Sequence, residues 1–134
     1  MRLVALATAS FLALGLGSCG KSEQQPTLSS FGPPANWAER EGFAGNKQAE
    51  RGAEIFANVG CLSCHTYLGT GSPNMGAPDL SSIGRQNPRS AEAFATYVSD
   101  PSKFGNTVMP KFEGLGRTKL LALGAFLEAS KGDR

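Results

Sequence analysis

The chain is short of the residues that most metal and nucleic-acid sites need. Its 134 residues include one histidine, three cysteines and one tryptophan. A structural zinc site takes four Cys or His ligands, and the region after residue 46 offers only Cys61, Cys64 and His65. Net charge is also small, +2 from 13 basic and 11 acidic side chains, and no Lys/Arg cluster lines up to match a phosphate backbone. Nucleic acid is therefore not an expected partner. No segment alternates as a strand and no β-α-β pattern is present, which removes the setting of a thioredoxin-type dithiol. The longest apolar run, Leu3 to Leu16, falls short of the about 20 residues that a membrane helix needs.

That run is the first thing the sequence does contain. Arg2 precedes it and Leu16-Gly17-Ser18-Cys19 ends it, so residues 1–18 read as a secretory signal whose end resembles the bacterial lipobox. Cys19 is then the expected lipidation site, which also accounts for an odd cysteine in an exported protein. Residues 19–45 are rich in Ser, Gln, Gly and Pro and are expected to form a lipid-anchored flexible tether. A stretch of about 25 residues reaches about 80 Å when extended and averages about 30 Å as a coil. Trp37 is out of place in such a tether, because a lone indole normally packs against something.

Residues 46–134 are expected to be one all-α domain with three main helices. Asn46 is a plausible N-cap, and Ala49, Gly52, Ala53, Phe56 and Val59 recur at helical spacing up to Gly60. A shorter helix follows Ser90, with Phe94, Tyr97 and Val98 on one side and Pro101 as its stop. The last runs from about Arg117 to Ala129, with Leu120, Leu123, Gly124 and Leu127 as its stripe. Gly116 caps it weakly, lacking the side-chain oxygen of Ser or Thr. The connections 69–84 and 105–116 are long and dense in Gly, Pro, Asn and Ser. Loops of that length in a small domain generally wrap a ligand, and three short helices bury little apolar surface without one.

The ligand is indicated by Cys61-Leu62-Ser63-Cys64-His65, the attachment pattern of c-type haem. Two thiols three residues apart match the two porphyrin vinyl groups, and the next residue is carried under the ring centre as the iron's histidine ligand. For the sixth position Met75 and Met109 compete. Met109-Pro110 stands in a polar loop where no helical stripe claims it, which favours Met109.

From Gln48 to Ala129 the chain resembles the single-haem class I cytochromes c. Gly76-Ala77-Pro78-Asp79-Leu80 is similar to the family loop whose proline carbonyl accepts the haem histidine's ring N–H, which implies that role for Pro78. Met109-Pro110 is similar to the family's distal Met-Pro step, and Gly52, Phe56 and Phe126 to its crossing of first and last helices. The resemblance implies one covalent haem c and a single-electron carrier rather than an enzyme. A quinol-oxidising complex or dehydrogenase would be the donor and a terminal oxidase or reductase the acceptor. With the anchor at Cys19, the protein is expected as an exported lipoprotein on the periplasmic or outer side of the cytoplasmic membrane. An open-site haem enzyme or gas sensor, and a fixed subunit of a larger oxidoreductase, are the alternatives. Arg85, Lys103 and Lys111 are expected near the exposed haem edge.

Overall fold

The computed structural model describes residues 34–132. In chain order the elements are α1 (Pro34–Glu41), α2 (Lys47–Asn58), a two-stranded hairpin of β1 (Thr66–Tyr67) and β2 (Thr70–Gly71), α3 (Ile83–Gln86), α4 (Ala91–Ser99) and α5 (Arg117–Ala129). Short 3₁₀ turns lie at Cys61–Ser63, Pro101–Phe104 and Glu113–Leu115. The protein is all-α apart from the hairpin, which pairs Thr66 with Gly71 and Tyr67 with Thr70. Residues 1–33, with the expected signal and Cys19, lie outside the described residues.

Local sequence sets the helix ends. The Asn46 side chain accepts a 3.1 Å bond from the Ala49 N–H, and Glu50 accepts one of 2.8 Å from the Gly45 N–H. The first satisfies a donor that a helix start leaves orphaned, and the second ties the residue before the cap to the first turn. At the other end Gly60 adopts φ 92°, a left-handed conformation that costs glycine nothing, and turns the chain directly into the 3₁₀ turn carrying Cys61. Ser90 caps α4 through a 3.2 Å bond from the Ala93 N–H. Gly116 supplies no side-chain bond to α5.

The frame is α2 and α4 packed on opposite sides of α5. At Gly52 a β-carbon would collide with the Ala122 carbonyl, so glycine alone allows α2 and α5 this close approach, and Gly124 does the same for α5 against Ala91. As a result α5 is buried continuously from Ala122 to Leu127, more than the single stripe read from its spacing. Phe126, fully buried, faces the aromatic side, where its ring centroid lies 4.8 Å from Tyr67 and 5.2 Å from Phe56.

Part of the stretch expected as tether is packed against the domain. Residues 34–41 form α1, and Trp37, 2% exposed, lies 4.7 Å from the Tyr67 ring and 6.1 Å from that of Phe126. Phe43 packs edge-on against Phe126. The packed unit therefore begins at least twelve residues before Asn46, because two aromatic rings fix a segment whose Pro, Gly and Asn content reads as loop. Glu41 closes the bracket, its buried Oε2 accepting 2.8 Å bonds from the Lys131 and Gly132 N–H groups just beyond α5.

Candidate cofactor site

Beside the aromatic cluster, α5 turns Leu123 and Leu127 toward a cavity of about 510 Å³. Phe56 of α2 and Phe94 and Val98 of α4 complete its apolar floor. Cys61, Cys64, His65, Pro78 and Met109, the residues singled out from sequence, all line this cavity, and so does Met75. Residues separated by 48 positions in the chain are thus brought to one space.

The cysteine segment is held by its own turn. The Cys64 and His65 N–H groups donate to the Cys61 carbonyl at 3.2 and 2.9 Å, and Ser63 N–H donates to Gly60 at 3.1 Å. The thiols are free rather than bridged. Burial pushes the Cys61 thiol up to about 12, so it stays protonated. A redox dithiol needs a low-pKa thiolate, and this is the reverse. Among the described residues no cluster of three or more His, Cys, Asp or Glu side chains could hold a metal ion by themselves.

His65 Nδ1 lies 2.8 Å from the Pro78 carbonyl oxygen. A carbonyl only accepts, so Nδ1 carries the proton and the Nε2 lone pair is left for a metal. The Pro78 segment is itself fixed. Thr66 Oγ1 donates to Asp79 Oδ2 at 2.5 Å, Ser81 N–H to Asp79 Oδ1 at 2.9 Å, and Leu80 N–H to the Thr66 carbonyl at 2.9 Å. Burial raises the Asp79 carboxyl, but the bonds from Thr66 and Ser81 outweigh it and hold the group below the ordinary carboxylate value.

The two methionines differ in setting. Met109 packs against the core, whereas Met75 is 70% exposed. Asn74 N–H donates to the Cys64 carbonyl at 3.0 Å, which keeps Met75 beside the cysteine turn. The Met109 loop is fastened instead to the end of α4. Phe112 N–H donates to the Ser99 carbonyl at 3.1 Å, and Lys111 Nζ pairs with the buried Asp100 at 3.0 Å.

Arg85, Lys103 and Lys111, expected around the site, do not line the cavity; both lysines pair with Asp100. Arg89 does line it, with its Nε 3.1 Å from Asn87 Oδ1. Sequence reading missed Arg89, which stands in a Pro/Asn/Ser-rich connection with no periodicity to place it. Asn106 and Tyr97 were also passed over as cavity residues, although an Asn three positions before Met109 in a tight loop is a recognisable turn signal.

A model of the cytochrome c family matches residues 49–130, more than half the chain. The chain belongs to the cytochrome c family. Its cofactor is accordingly covalently bound haem c with iron, and its role that of an electron carrier. No curated protein and no solved structure matches the chain significantly. The residues present fit the group: an apolar cleft for a flat macrocycle, two unbridged thiols and a ring nitrogen with a free lone pair meet in one cavity. For this cytochrome c the match begins within α2, so α1 and its aromatic bracket precede the matched segment.

Proposed function

We propose that this cytochrome c is a membrane-tethered single-electron shuttle whose haem is attached through Cys61 and Cys64 and whose iron is ligated by His65 and Met109. The observation that carries the reading is the 2.8 Å bond from His65 Nδ1 to the Pro78 carbonyl, inside a cavity that both thiols and Met109 also line. When bound, haem supplies a reversible one-electron change at iron. The chain's own residues do the rest. The Pro78 carbonyl fixes the His65 tautomer and ring orientation and raises the basicity of Nε2. The Met109 thioether is a soft donor that favours ferrous iron, and the apolar walls of Phe56, Phe94 and Leu123 disfavour the extra charge of the ferric form, so both raise the potential. Donors held by turns and helix ends need little rearrangement between oxidation states.

The signal-like residues 1–18 and the lipobox-like step at Cys19 support an anchor on the outer side of the cytoplasmic membrane. Donor and acceptor are then a quinol-oxidising complex or dehydrogenase and a terminal oxidase or reductase. No helix among the described residues is long and apolar enough to cross a membrane.

The ligand assignment is tested by comparing Met109→Ala with Met75→Ala. Met109→Ala should abolish the near-infrared sulfur-to-iron band of the ferric protein, lower the potential and open ferrous iron to carbon monoxide. Met75→Ala should do none of these, and the reverse pattern would move the role to Met75. Ready carbon monoxide binding by the unaltered protein would replace the shuttle with an open-site enzyme or sensor. For the anchor, the intact mass of the mature protein should include acyl groups that Cys19→Ala removes.

A further inference from the structure

The loop that presents Met109 is governed by one amide side chain. Asn106 Oδ1 accepts two backbone bonds, from Val108 N–H and from Met109 N–H, each 3.1 Å long. With the oxygen so engaged, the amide can face only one way, and its Nδ2 donates at 2.9 Å to the Tyr97 hydroxyl on α4. The Asn106 N–H in turn donates to the Pro101 carbonyl at 3.2 Å. Tyr97, Asn106 and Met109 all line the cavity, and Asn106 and Met109 are half-buried. An asparagine that takes the N–H groups two and three residues ahead of it closes a tight turn, and this turn hangs from a helix by a single hydrogen bond.

We propose that Asn106 and Tyr97 are positioning residues that hold the Met109 turn over the cavity and so set how readily another ligand displaces the methionine. This rests on the reading of Met109 as the axial ligand. Asn106 acts on the backbone N–H of Met109 itself, so loss of the amide frees the turn at the donor residue. Tyr97 acts only through Asn106. Phe112 to Ser99 and Lys111 to Asp100 fasten the loop beyond Pro110, and the Asn106 N–H ties its start to Pro101, so between these points the Asn106 side chain is what holds the Val108 and Met109 N–H groups.

The test uses the haem-loaded protein, with imidazole as a competing ligand for ferric iron and the near-infrared band as the report on sulfur ligation. Asn106→Ala should raise imidazole affinity about tenfold, equal to about 1.4 kcal/mol. Tyr97→Phe keeps the ring and its packing and should raise it about threefold, and in the Asn106→Ala background it should add nothing, because the two act in series. Asn106→Asp keeps an acceptor for both N–H groups and should bring imidazole affinity back toward the wild-type value. A merely structural role would lower thermal stability without this pattern. Wild-type imidazole affinity in both Asn106→Ala and Tyr97→Phe would overturn the proposal, as would failure of Asn106→Asp to restore it. If Met109→Ala leaves the near-infrared band intact, it is the ligand assignment that has failed, whatever Asn106 does.

Discussion

The two sides of α5 are built on different principles. On one side Trp37, Phe43, Tyr67 and Phe126 fill the space with each other's rings and with one edge of Phe56, which also faces the cavity. On this side Ser130 donates its only proton to the Phe126 carbonyl at 2.8 Å and receives the Tyr67 hydroxyl at 2.8 Å. On the other side Leu123, Leu127, Phe94 and Val98 border a cavity of about 510 Å³ that no side chain fills. One half of the core is made by the sequence and the other is completed by the cofactor. Left unfilled, such a space deprives its apolar walls of packing partners and leaves them to water, which costs stability. Attachment of haem is therefore also a folding event.

The largest expected effect follows from removing that attachment. Cys61→Ala with Cys64→Ala should release all haem into acid-acetone and leave a chain without a cooperative thermal transition. A cooperative, haem-free fold would show that the cavity side closes by itself and would erase the contrast. Next in size is the aromatic side. Trp37→Ala should cost about 3–5 kcal/mol in denaturant unfolding of the holoprotein while leaving the near-infrared band and the potential in place. A shifted potential would mean that the two sides of α5 are coupled.

The contrast also explains what was legible in the sequence. α2, α4 and α5 fell within a residue or two of their expected bounds, because Asn46, Ser90, Gly60 and Pro101 are local signals whose effect does not depend on distant packing. Cys61, Cys64, His65, Pro78 and Met109 were singled out because covalent attachment and ligation demand fixed residue types in fixed order, and the structure brings these five side by side in the lining of one cavity. α1 was not legible. Its helix exists because Trp37 and Phe43 reach Tyr67 and Phe126, partners 30 to 89 residues away, and composition alone reports only the Pro and Gly around them. The polar supports of the site, Asp79 for Pro78 and Asn106 for Met109, were hidden for a related reason. Short polar side chains in loops carry no period, and their role appears only when the backbone they bond is in place.

A smaller effect separates the two loops that border the cavity by their acid response. The Met109 loop is pinned through Asp100, whose side chain accepts from Ser102 and Lys111 and also pairs with Lys103. The bond from Ser102, then that from Lys111, holds the Asp100 carboxyl below its usual value of 3.8. A carboxyl lowered in the folded protein contributes stability that is fully present above its unfolded pKa and is lost as pH falls through its folded one. Asp100→Asn should therefore destabilise the holoprotein at pH 7, and the gap from wild type should close only below about pH 4. Asp79 obeys the same sign, but it supports Pro78 and His65 rather than Met109. In acid, Asp100→Asn should thus change the near-infrared sulfur-to-iron band, relative to wild type, less than it does at pH 7, while Asp79→Asn should leave that band in place and weaken the histidine side instead. Thermal unfolding followed from pH 7 to pH 3, with the near-infrared band recorded at each end, measures both. A wild-type gap for Asp100→Asn that stays constant over this range would show that the Lys111 pair does not hold the loop.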